Sequence, residues 1–323
     1  MAIMDVIYFI MPQTFFYMMP LLIVALGGMF SERSGIVNIA LEGKMLLGAF
    51  VSIFFINRIQ ASAVPIDGQA LLLLALVVAA CTGVITALFH AYATISLSAN
   101  QIISGVAINM FAPAFAIYTA RIFGDTQQVF FNNTFRIDSV PFLGSIPVIG
   151  PLFFTNTYIT TYIGFAILAG LTILMYKTKF GLRLRACGEH PQAADSVGVN
   201  VYRTRYIGVL ISGALAGMGG LILIVPTAVA FNATVDGYGF LALAVLIFGA
   251  WKPMRVLFGA FLFGLLAVIA AAHSGIPLLR DLGIAAHFYR MVPYAATLLV
   301  LAFTARRSMA PKALGTPYDK GTR

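Results

Sequence analysis

SGIVNIALEGKMLLGAFVSIFFI, Ser34 to Ile56, has the length and greasiness of a membrane span, yet it carries Asn38, Glu42 and Lys44. A charge held at mid-bilayer costs about 3 kcal/mol or more unless it faces protein or water. Read as one helix, the stretch puts Asn38 and Glu42 four residues apart on one face, with Met45 continuing the stripe and Lys44 pointing elsewhere. That face must look into a helix bundle or a water-filled path. Two roles stay open for Glu42: a structural pin bonded to a neighbouring helix or to freed backbone groups, or a contact for a passing solute. Gly35, Gly43 and Gly48 permit a break or a close helix contact.

The whole chain supports a membrane setting. Of 323 residues, 60% are hydrophobic and 10% charged, and the mean hydropathy is +0.94. Soluble domains are about half apolar and a quarter charged. With about 20 apolar residues needed per crossing, candidate spans fall at 7–30, 34–56, 69–97, 100–120, 157–176, 205–228, 238–251, 254–272 and 289–305, the segment 238–251 being short enough to be a broken one. The expected fold is an all-α polytopic membrane protein of about 8–10 helices, one transmembrane domain over residues 1–323. The N-terminus, MAIMDVIYF, lacks a basic region and carries Asp5, so it reads as the start of the first span rather than a signal peptide.

The net charge of +9 is unevenly placed. Lys177, Lys179, Arg183, Arg185, Arg203 and Arg205 crowd the 177–204 connection and its edge, and Arg306, Arg307, Lys312, Lys320 and Arg323 the 306–323 tail. Both are expected to be cytoplasmic by the positive-inside rule, with Lys252 and Arg255 on the same side, the 121–156 loop outside and the N-terminus outside. No basic face with interleaved aromatics suggests nucleic acid. Cys81 and Cys187 are placed too differently to suggest a disulfide, and His90, His273 and His287 form no metal spacing. No GxxxxGK[ST] phosphate loop and no nucleophile–base pair occurs, which argues against an intramembrane enzyme and against ATP hydrolysis by this chain. The expectation is no cofactor here and no metal.

Other segments carry finer signals. RACGEHPQAADSVGVN, Arg185 to Asn200, sets Pro191 at a first helical position and Gly198 at an end, which predicts a helix of about two turns. A small-residue surface suits docking in a partner's groove; a plain capped surface helix is the other reading. In SLSANQIISGVAINMFAPAF, Ser96 to Phe115, Asn100 and Gln101 open a span, and Asn109 sits near Pro113, whose freed carbonyl an Asn can satisfy. Gly213 and Gly217 form a GxxxG packing step. Phe231, Tyr238 and Phe240 follow as an outer-mouth stack or an interfacial belt. The loop Ser139 to Phe154 is broken by Pro and Gly, too interrupted to span. NIALEGKMLLGA (Asn38 to Ala49) faintly echoes GFLALAVLIFGA (Gly239 to Ala250), as inverted repeats of transporters do.

FSERSGIVNIALEGKMLLGA (Phe30 to Ala49), GEHPQAADSVGVN, IPVIGPLFF (Ile146 to Phe154) and APKALGTPYDKGTR (Ala310 to Arg323) together resemble the permease subunits of ATP-binding-cassette importers in the branched-chain amino acid/ribose/nucleoside permease family, nucleoside-type branch. Asn100-Gln101 departs from the Asn-Glu pair expected there. The resemblance implies a solute path for a nucleoside-like compound, with riboflavin a candidate and a simple sugar a weaker one. Asn38, Glu42, Asn100, Asn109 and Phe231 are the path candidates. It also implies a cytoplasmic ATPase, which binds the ATP, docking through Gly188, Glu189, Pro191, Ala193, Ala194 and Gly198. Further partners are a homologous second permease and a periplasmic or lipid-anchored solute-binding protein, in the bacterial inner membrane with the C-terminus cytoplasmic. A stand-alone secondary carrier is the alternative.

Overall fold

The computed structural model describes residues 3–62, 65–124, 126–273, 285–304 and 309–321. Pro277, Arg280 and Asp281 of the 273–288 connection, and Asp125, Arg306, Arg307 and Arg323, lie outside the described residues, as do the side chains of Asp5 and His287. The chain is helical almost throughout: α1 Ile3–Arg33, α2 Leu41–Ala61, α3 Gly68–Ala91 continued by a π turn at Tyr92–Ser96, α4 Gln101–Gly124 and α5 Ile159–Lys177. Then come α6 Lys179–Glu189, α7 Pro191–Ser196, α8 Val201–Thr227, α9 Tyr238–Phe248, α10 Pro253–Ala272 and α11 Ala286–Thr304.

Seven of these, α1 to α5, α8 and α10, are long and apolar enough to cross a membrane. Half-length α9 and the 19-residue α11 complete an all-α polytopic membrane protein. Among the described residues, sheet is confined to two short antiparallel pairs. In these, β1 (Val129–Phe130) meets β4 (Ala230–Phe231), while β2 (Ile137–Ser139) meets β3 (Thr155–Thr157) and closes the Pro/Gly-rich excursion between them.

The core is built around α1 and α8, which lie antiparallel: a Cβ on Gly27 would meet Ser212 and Leu215, and one on Gly219 would meet Val24. From there the packing repeats itself. α8 packs on α2 and α3, as α1 packs on α9 and α10; α4 lies on α2 and α3, as α11 lies on α9 and α10. Exchanging α1–α4 with α8–α11 therefore maps the bundle onto itself with chain direction reversed. The weak echo between Asn38–Ala49 and Gly239–Ala250 falls on the counterpart pair α2 and α9. The GxxxG step works as a packing surface. Gly213 and Gly217 admit the backbone of Ala79 and Gly83 from α3, and Gly217 also admits Gly48 from α2.

The basic clusters share a face. Ala313 of the tail donates from its backbone N to the Gly188 carbonyl (2.9 Å), so the tail and the 177–204 connection are neighbours. Arg33 reaches Trp251 O (3.3 Å), one residue before Lys252. The opposite face gathers the α2 end, where Arg58 donates to Phe123 O (2.7 Å), and the first half of α1, where Phe15 meets Phe153.

Candidate functional site

One expectation is overturned at Ser34–Ile56. The segment is not a single helix: α1 ends at Arg33, Gly35 turns the chain with φ +97°, residues 34–40 are irregular, and α2 begins only at Leu41. Asn38 and Glu42 consequently do not share a helical face, and Lys44 does not point away from Asn38. The fully buried Lys44 ammonium donates to Asn38 Oδ1 (2.7 Å), and Asn38 Nδ2 donates to Ser212 Oγ of α8 (2.6 Å).

Irregular backbone at membrane depth survives only where protein or cavity water supplies its hydrogen bonds. Here the supply is traceable. Val37 N donates to Gln101 Oε1 (2.7 Å), His90 Nε2 sits 3.1 Å from Val37 O, and His90 Nδ1 sits 2.9 Å from Ser104 Oγ. With the Val37 carbonyl accepting, Nε2 of His90 is the donor, and a neutral ring then accepts from Ser104 at Nδ1. Asn109 serves both sides of the α2 start, accepting from Gly43 N (2.8 Å) and donating to Ile39 O (3.0 Å). It does not serve the carbonyl freed by Pro113.

A second break mirrors the first. After α8, residues 228–237 pair briefly with β1 and turn back at Gly237 (φ +78°) into the 11-residue α9. At about 1.5 Å per residue α9 covers roughly 16 Å, half the hydrocarbon thickness. The Glu42 carboxylate sits on the start of α9: Oε1 accepts from Gly237 N (2.9 Å) and Oε2 from Gly239 N (2.7 Å). A Cβ on Gly239 would lie 2.4 Å from Glu42 N, so glycine is what lets the two helix starts meet. The anion satisfies amides that α9 leaves open and lies at its positive end. Beside this junction is a cavity of about 500 Å³ lined by Asp236, Tyr238, His273 and Tyr294 among others; Tyr294 OH donates to Asp236 O (3.2 Å).

Of the path candidates, Asn38, Glu42 and Asn109 converge on the broken segment. Asn100 stands apart at the α4 start, where its Oδ1 accepts from Ile102 N (2.9 Å) and Ile103 N (3.1 Å). Phe231 is buried, its ring 6.0 Å from that of Phe50, and belongs neither to an exposed outer stack nor to an interfacial belt. Sequence reasoning noted Gln101 and His90 without placing them at the site, and missed Ser212 and the pairing of Lys44. A polar residue inside an apolar helix was the available signal for each; its partner was not legible.

On the basic face, Pro191 takes the first position of the six-residue α7, and Gly198 (φ +82°) turns the chain after it. Ala194 is buried beneath, while Gln192, Ala193, Ser196 and Val197 face outward. Gly188 and Glu189 belong to the preceding α6, which the sequence reading did not separate. Gly188 packs against Arg33 O and Pro311. Glu189 lies 3.6 Å from Arg33. Cys187 is buried beside Ala194, Val201 and Tyr318, and burial pushes its thiol pKa up.

Two half-buried helix starts meeting inside an antiparallel repeat of membrane helices define a transporter-type bundle. Sequence comparison gives the family: residues 10–301 match the branched-chain amino acid transport system / permease component family, and the chain belongs to it. A guanosine ABC transporter permease protein of Bacillus subtilis (strain 168) is 42% identical over 100% of both chains. A nucleoside ABC transporter permease protein of Lactococcus lactis subsp. cremoris (strain MG1363) is 38% identical over 99% of both. A putative glucose ABC transporter permease protein of Haloferax volcanii is 32% identical over 81% of this chain and 76% of its own.

Proposed function

We propose that this chain is the transmembrane permease subunit of an ATP-driven importer of nucleosides. The junction of α2 and α9 at Glu42 carries the reading. Two helix starts held together by one carboxylate inside a bundle are a natural place for a path to open and close, because few bonds join them. In this reading the basic face and the C-terminus lie in the cytoplasm of a bacterial inner membrane, and a separate ATPase docks on the outward side of α7. A homologous second permease completes the path and a solute-binding protein delivers the solute. The chain itself catalyses nothing. The 500 Å³ cavity beside the junction has the size and the mixture of aromatic rings and polar groups that a nucleoside needs. The names of the full-length relatives support a nucleoside over a sugar or a flavin.

The test is uptake of labelled guanosine into proteoliposomes holding the chain with its ATPase, sister permease and binding protein, with glucose and riboflavin as competitors. Uptake must need ATP, and Ala193→Trp or Val197→Arg, both on the outward side of α7, must abolish it while leaving the chain inserted. Guanosine uptake by the chain alone, with no ATPase present, would falsify the reading.

A further inference from the structure

We infer that the C-terminal tail is a strap that carries motion from the α6–α7 elbow to the root of the broken segment, with Arg205 as the positioning residue that fastens it. The inference rests on the docking of an ATPase at α7.

Residues 309–321 pass across the basic face without forming a helix. Their backbone bonds to three elements in turn. Lys312 N reaches Glu189 Oε2 (3.4 Å), and Ala313 N reaches Gly188 O (2.9 Å), both at the end of α6. Two residues on, Gly315 N donates to Gly35 O (3.1 Å), at the turn where α1 gives way to the broken segment. Tyr318 then plugs into the cluster of Cys187, Ala194 and Val201, so the same strap grips the buried side of α7 and the start of α8. Its carbonyl accepts from Tyr202 OH (3.3 Å).

Arg205 locks this path from beneath. Its buried guanidinium donates from Nε to Ser34 O (3.2 Å) and from Nη1 to Thr316 O (3.3 Å), and lies over the Tyr318 ring at 5.9 Å. One planar fork thus joins the broken segment to the tail, which the point charge of a lysine cannot do. The remaining nitrogen, Nη2, is buried and has no hydrogen-bond partner among the described residues. A buried guanidinium spent on two neutral carbonyls is expensive packing for a mere surface cover. From Gly35 the broken segment runs three residues to Asn38 and seven to Glu42. A push on α7 therefore reaches the α2–α9 junction through the Tyr318 packing contact, the hydrogen bonds of the tail to α6 and Gly35, and the seven residues of chain that follow, a contiguous physical connection of the kind that transmission between sites requires.

The experiment uses the full importer complex in proteoliposomes, measuring ATP hydrolysis and guanosine uptake together. Deletion of residues 311–323 and Arg205→Met should leave ATPase association and basal hydrolysis within about twofold, and lower guanosine taken up per ATP at least tenfold; Arg205→Lys should recover little. In a Cys81→Ala background, both changes should raise maleimide labelling of Cys187 at least fivefold, since Tyr318 covers it. An unchanged ratio of uptake to hydrolysis in the deletion, with α7 variants still uncoupled, overturns the strap alone. Loss of ATPase association in the deletion also overturns it, by making the tail a docking or folding element. Absence of ATP-dependent uptake in the unmodified complex overturns the docking reading, and the strap with it.

Discussion

Replacing Glu42 with glutamine changes one atom type and tests the junction directly. Both carboxylate oxygens accept, at 2.9 Å from Gly237 N and 2.7 Å from Gly239 N. Glutamine keeps one acceptor and turns its NH₂ toward a donor. One charge-assisted bond is lost, worth about 1.5–3 kcal/mol, and the anion leaves the positive end of α9, worth about 0.5–2 kcal/mol. Relief of the buried charge offsets part of this, leaving a net loss of roughly 1–4 kcal/mol. Glu42→Asp keeps the charge but pulls the carboxylate back by one methylene, and should fall between the two. The assay is thermal unfolding of purified protein in detergent, followed by nucleoside uptake of the assembled importer. At about 2 °C per kcal/mol for a chain of this size, the midpoint should drop by about 2–8 °C, and uptake should fall further than stability alone requires. An unchanged midpoint for Glu42→Gln would mean that the carboxylate does not hold α9.

Gly239→Ala should mimic that loss by another route: its Cβ would sit 2.4 Å from Glu42 N, so α9 must move off. The expected cost is about 1–3 kcal/mol, read as a lowered midpoint and reduced uptake. Lys44→Leu should be milder than Glu42→Leu, because Lys44 makes one hydrogen bond and Asn38 keeps Ser212; side-by-side uptake assays decide it, and equal loss would refute the ranking. Cys187 gives a pH test. Burial raises its pKa, so the neutral thiol dominates through neutral pH and the reactive thiolate appears only as pH rises past the ordinary value of about 8.5. Maleimide labelling in a Cys81→Ala background should therefore rise with pH along a curve displaced to higher pH than that of the unfolded chain.

Sequence alone settled the solvent and the order of the spans, though not α6. An apolar content of 60%, gathered in runs of about 20 residues with most charges in the connections, points to a helical membrane bundle, and most span boundaries fell within a few residues of the helices found. Pro191 and Gly198 marked α7 correctly because helix ends are decided locally. The broken segment was misread for the opposite reason. Apolar periodicity continues straight through residues 34–40, and nothing in it says that Gln101, His90 and Asn109, 53 to 70 residues away in sequence, will satisfy the opened backbone. The partners of Lys44 and Glu42 were hidden likewise, since a polar residue in a span announces a need without naming who meets it. Only the packed bundle decides that. It brings α8 and α9 against α2, sets the tail over α6, and so determines which groups share a low-dielectric interior, where each hydrogen bond must be made within the protein.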